Sequence, residues 1–127
     1  MSDIPESLMY TKEHEWVRVE DDLVVIGITD HAQNALTDIV YVELPEIGGE
    51  VDAMDELAAV DSVKSSSPIF SPIGGMVTEV NGVLEDAPEI INSDPYGEGW
   101  IAMIRPDDMT EVSELLSAGD YRSLLGE

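Results

Sequence analysis

Two lysines are all that this chain has, Lys12 and Lys64. In a sequence that has nearly abandoned the residue, each remaining amine is a candidate for chemistry. Lys64 stands within Asp61-Ser62-Val63-Lys64-Ser65-Ser66-Ser67, whose side chains are all modest in size. A small apolar strand, residues 57–60, precedes it, and Ile69-Phe70-Ser71 follows, bounded by Pro68 and Pro72. A lysine at a hairpin tip can attack an activated acyl group, since no bulky neighbour blocks the approach. A tight turn between strands presents the amine rigidly. On chemistry alone, a solvated lysine in an ordinary turn is the rival reading.

Other reactive constellations are absent from the sequence. With no cysteine, two histidines and no Ser/His/Asp pattern, it offers no nucleophile–base pair. His14 and His31 lack metal-ligand spacing, so neither a metal nor a catalytic residue is expected. Gly48-Gly49 and Gly74-Gly75 lack the surroundings of a phosphate loop and serve turns. Trp16 and Trp100 are expected in the core.

Twenty-eight acidic residues against five basic ones give a formal charge of −23. Phosphates would be repelled, which excludes nucleic-acid binding and disfavours anionic membranes. A polycation partner, mimicry of nucleic acid and adaptation to high salt remain. The acids are spread along the whole chain, which favours the halophilic reading. The acidic start, Met1-Ser2-Asp3-Ile4-Pro5-Glu6, has no apolar signal region, so a cytoplasmic location is expected. At 127 residues, a single domain is expected.

The elements that must position Lys64 read mostly as short strands. Trp16 to Glu20 alternates, with Val17 and Val19 on one face and Arg18 and Glu20 on the other; Asp21-Asp22 turns into Val24-Val25-Ile26-Gly27-Ile28. Thr29 or Asp30 caps a short helix with Ala32, Ala35 and Leu36 on one face. Ile39 to Leu44 is a strand stopped by Pro45. Met76 to Val80 leads into Asn81-Gly82, a hairpin signal. The last strand is 100–104. Thr110 caps a helix carrying Val112, Leu115 and Leu116, Gly119 fits its C-terminus, and Asp120 caps a final turn.

Six ordered segments resemble one family: residues 10–16 (Tyr-Thr-Lys-Glu-His-Glu-Trp), 27–33 (Gly-Ile-Thr-Asp-His-Ala-Gln), 38–45, Asp61-Ser62-Val63-Lys64, 71–75 and 92–100. Together they are similar to the H protein of the glycine cleavage system. The resemblance implies a barrel-sandwich hybrid: two small antiparallel sheets with short helices, a β core over about 10–105 and a helical tail over 106–127. It implies lipoic acid bound to Lys64 through an amide, on a non-catalytic carrier. Such a carrier takes an aminomethyl group from a pyridoxal-phosphate glycine decarboxylase to a tetrahydrofolate-dependent aminomethyltransferase, and electrons to the flavoenzyme dihydrolipoyl dehydrogenase. A lipoate-attaching enzyme would read Asp61, and Glu15 would contact the protonated amine of the loaded arm. This chain departs from the family pattern in having Asp61 where Glu is usual, Ser65 where Ala is frequent, and Pro68 where a polar residue is frequent. A lipoyl domain of a 2-oxoacid dehydrogenase would leave 10–16 and 27–33 unexplained. A biotin carrier would place its lysine between methionines. A lipoate relay, or an H-like interaction module, remains the alternative function.

Overall fold

The computed structural model describes residues 4–126; Met1-Ser2-Asp3, part of the segment read for a missing signal, lie outside the described residues. The strands are β1 (Met9–Tyr10), β2 (Glu15–Glu20), β3 (Leu23–Ile28), β4 (Ile39–Glu43), β5 (Glu50–Val51), β6 (Glu56–Ser62), β7 (Ser66–Phe70), β8 (Gly75–Val80) and β9 (Ala102–Pro106). The helices are α1 (Asp30–Leu36), α2 (Val83–Asp86), α3 (Ile90–Ser93), α4 (Thr110–Ser113) and α5 (Ala118–Leu125). Two antiparallel sheets form, ordered β1-β2-β3-β9-β8-β5 and β4-β6-β7. The expected mostly-β arrangement with short helices and a C-terminal helix is therefore the one observed.

β3 explains how the layers stack. Val24, Ile26 and Ile28 point one way, into a core shared with Val42, Val60 and Ile69 of the smaller sheet. Val25 points the other way, into a second cluster with Tyr10, Trp16 and Tyr121 of α5. The large sheet is thus covered on both faces, which is why β3 reads as an unbroken apolar run. Gly27 is part of this arrangement, since a Cβ there would sit 2.7 Å from the Trp16 ring. Trp16 donates its indole N–H to the Pro95 carbonyl at 2.9 Å, so its one polar atom is satisfied in the core.

Several expectations fail for physical reasons. Asn81-Gly82 makes no hairpin: β8 pairs with β9, and Asn81 Nδ2 donates to the carbonyls of Glu98 and Trp100 across the intervening loop. Pro68 does not bound its strand; it lies inside β7 opposite Ala59, tolerable because β7 is a sheet edge. Val19 is half exposed while Val17 is buried, since the large sheet's cover ends between them. Thr110 is the first residue of α4, not its cap; Asp108 Oδ1 accepts its N–H at 2.9 Å. Gly119 lies within α5, whose N-cap is Ser117, with Asp120 as the reciprocal partner of a capping box. Thr29 does cap α1, accepting the Ala32 N–H.

Candidate functional site: the lysine turn and its cleft

Lys64 lies exposed at the turn between β6 and β7. The turn is tightly knotted. Ser62 N–H donates to the Ser65 carbonyl at 2.7 Å, and Ser62 Oγ accepts the N–H of Lys64 (3.3 Å) and of Ser65 (3.1 Å). Val63 N–H reaches back to the Asp38 carbonyl at 3.0 Å, tying the turn to the start of β4. One layer below, Ser66 Oγ donates to Asp61 Oδ1 at 2.5 Å across the hairpin. Lys64 takes part in neither of the two ion pairs among the described residues, Arg18–Glu20 and Arg122–Glu6. An exposed amine on a backbone fixed at both ends suits attachment of an acyl group, because neutralising it breaks no ion pair.

The strand leaving this turn forms one wall of a cleft of about 140 Å3. Ser67, Pro68 and Ile69 line it from β7, and Ala32, Ala35 and Leu36 from α1. The face assigned to α1 from its sequence thus looks into the cleft. Ile28 forms apolar floor, and Glu13 and His14 bring polar groups to the rim. A larger open depression of about 720 Å3 lies away from Lys64, beside Met9, Val19 and Met109. Its charged side chain, Arg18, is already engaged with Glu20 and the Tyr96 carbonyl.

Glu15 is not among the solvated acids. It is 1% exposed and is not among the residues that line the cleft. Thr11 Oγ donates to its Oε1 at 2.6 Å, and the Phe70 N–H, at the end of β7, donates to Oε2 at 3.3 Å. Burial pushes its carboxyl up to about 7, against the pull of those two hydrogen bonds. The structure therefore joins Glu15 to the strand that starts beside Lys64, while Asp61 stays on the lysine hairpin itself.

Thr11 and Tyr121 carry no functional signal in the sequence, and His14, expected to be neither a metal ligand nor catalytic, has a structural partner. Thr11 binds Glu15 through both its hydroxyl and its backbone. His14, at φ 71, is held by Tyr121: Nδ1 and the phenol oxygen are 2.8 Å apart, and the same phenol oxygen lies 2.8 Å from Thr29 Oγ1. Burial, and then the neighbouring His31, lower the His14 pKa. In the sequence, Tyr121 is one apolar residue of the short final turn that follows Asp120. Nothing in a local window links it to a residue at the opposite end of the chain.

The family described as Glycine cleavage H-protein matches residues 8–127. The glycine cleavage system H protein of Alkalilimnicola ehrlichii is 50% identical over 128 residues, covering 100% of this chain and 98% of its own. That of a Thermus thermophilus strain is 53% identical over 123 residues, covering 97% and 96%. The crystal structure of a glycine cleavage system H protein from Mycobacterium marinum matches with a TM-score of 0.91 at 38% identity, covering 98% of this chain and 100% of that one.

Proposed function

The chain belongs to the glycine cleavage H-protein family, the non-catalytic lipoyl carriers of the glycine cleavage system, and on that premise we propose that Lys64 is where its lipoate is attached. The observation that carries this is the exposed Lys64 amine on a turn pinned by Ser62 and Asp38. The proposal also makes Asp61 the carboxylate read by the attaching enzyme, since it projects from the same hairpin one β-bridge below the turn. Glu15 is proposed as the carboxylate that answers the cargo's protonated amine. Its support is a carboxyl group shielded from water, where a nearby cation is felt strongly.

Bound lipoate would supply a disulfide able to accept a one-carbon amine and electrons. The rest is done by the chain. Lys64 holds the attachment on a compact body, so each encounter with a docked partner becomes a tethered one of high effective concentration. Ile28, Ala32, Leu36 and Ile69 give the cleft an apolar lining that excludes water. Family membership implies partner enzymes of the system. We propose the pyridoxal-phosphate decarboxylase, the aminomethyltransferase, dihydrolipoyl dehydrogenase and a lipoate-attaching enzyme as those partners. A single carrier domain over residues 1–127 and a cytoplasmic location belong to the same proposal.

The test is Lys64→Arg. Incubated with lipoate, ATP and a lipoate ligase, the native chain should gain the mass of one lipoyl group and the variant none. With the decarboxylase added, the native chain alone should support glycine–bicarbonate exchange, and the two should melt together because the turn makes few core contacts. A variant that is still lipoylated, or that still supports exchange, refutes Lys64 as the carrier residue.

A further inference from the structure

We propose that the Ser62 hydroxyl is a positioning group for the acylation of Lys64, holding the turn in the one shape that presents the amine. This rests on Lys64 being the attachment point. Ser62 Oγ accepts the amide N–H of Lys64 at 3.3 Å and of Ser65 at 3.1 Å, while its own O–H donates to the Ser65 carbonyl at 3.1 Å. One buried hydroxyl therefore engages all of its hydrogen-bonding capacity on Lys64 and the residue that follows it.

The backbone explains why such a knot is needed. Two-residue hairpin tips favour turns with φ above zero, because those match the twist of the strands. The positive-φ residues without glycine among the described ones are His14, Asp21, Thr37 and Met54, so neither Val63 nor Lys64 adopts that shape. A turn of the other hand splays its strands. Here the Ser62 hydroxyl takes the Ser65 N–H that a carbonyl would otherwise accept, and the Val63–Asp38 bond anchors the other side.

Removing the hydroxyl leaves two amides at exposed residues, where water takes over their hydrogen bonds. The fold keeps its stability while the tip samples more shapes. Acylation is sensitive to that. The unprotonated Lys64 Nζ attacks the carbonyl carbon of an acyl adenylate; the C–N bond forms, the C–O bond to phosphate breaks, AMP leaves with the electron pair, and the amine proton passes to solvent. Small misplacements of an attacking atom lower such rates steeply.

The experiment measures lipoylation of the full chain by a lipoate ligase with lipoate and ATP, followed by intact mass. Ser62→Thr and Ser62→Val differ in little but the hydroxyl, so their comparison is insensitive to any shared steric cost. Ser62→Thr should retain near-native kcat, whereas Ser62→Ala and Ser62→Val should lose about tenfold in kcat with KM for the apo-protein little changed. Asp61→Asn, which removes a recognised charge, should instead raise KM. Equal kcat for Ser62→Thr and Ser62→Val overturns the inference, as does a Ser62→Ala effect confined to KM. A native chain that is not lipoylated on Lys64 overturns the attachment reading itself, a separate result.

Discussion

Glu15 keeps a carboxyl group where water does not reach, and its chemistry follows from that. Its folded pKa, about 7, lies above the ordinary value of 4.5 because burial outweighs the bonds from Thr11 and Phe70. A folded state that holds the proton more tightly than the unfolded state loses stability as pH rises through that window. Glu15's contribution is thus full below 4.5, declines as pH climbs, and is gone above about 7. Glu15→Gln lacks the titration. The unfolding free energy of the native chain minus that of Glu15→Gln should therefore fall by about 3 kcal/mol between roughly pH 4 and 8. Denaturant melts across that range measure it, and a difference independent of pH would show that the group is not buried as described. The sequence marked Glu15 only by its place before Trp16. Its burial was not legible, because a glutamate among many acids carries no sign that Thr11 and a distant strand end will enclose it.

At the scale of elements, the strands around Lys64 were legible because alternation and turn residues are local signals; β2, β3, β4 and β6 all fall where the pattern puts them. What failed was non-local. Asn81-Gly82 has the chemistry of a hairpin, yet α2 and α3, four residues each and too short to show a period, intervene before β9. α5 was misplaced at its start because Gly119 looked like a stop, although the Ser117–Asp120 capping box overrides it. Placing α5 correctly matters for the cleft. The Tyr121 phenol oxygen joins His14 on the rim to Thr29, the cap of α1, and so ties the rim and the α1 wall to the C-terminal helix. Its ring stacks on Tyr10, with centroids 4.7 Å apart. Tyr121→Phe should keep the stack and lose the bridge. The expected cost is about 1–2 kcal/mol, because His14 Nδ1 is left without that partner in a half-buried position. A melting temperature unchanged from native would show that the phenol oxygen does not fasten the rim to α1.

Across the whole molecule, electrostatics is the term that the fold leaves uncompensated. The chain carries a formal −23, and the described residues contain two ion pairs, both with exposed partners of little individual worth. Arg122 helps fasten α5 to the N-terminal segment through Glu6 and the Ile4 carbonyl, so one of the few cations is spent on the helix that supports the cleft. Most of the remaining acids face solvent and repel one another, which opposes the compact state when salt is scarce. At about 1 M salt the Debye length shrinks to roughly 3 Å and that repulsion is largely screened. The core is not the weak point: Val24, Ile26, Ile101 and Ile104 are wholly buried, and salt does not remove them. The melting temperature should therefore rise by about 10 °C or more between roughly 10 mM and 1 M KCl, the shift expected if a few kcal/mol of repulsion is relieved in a chain of this size. Sucrose at matched osmolality should give a smaller gain, since it screens no charge. Because the Arg122–Glu6 contact is screened by the same salt, the gain measures repulsion relieved net of attraction lost. A melting temperature indifferent to KCl would mean that the acids are spaced widely enough not to matter, and the halophilic reading of the composition would fall with it.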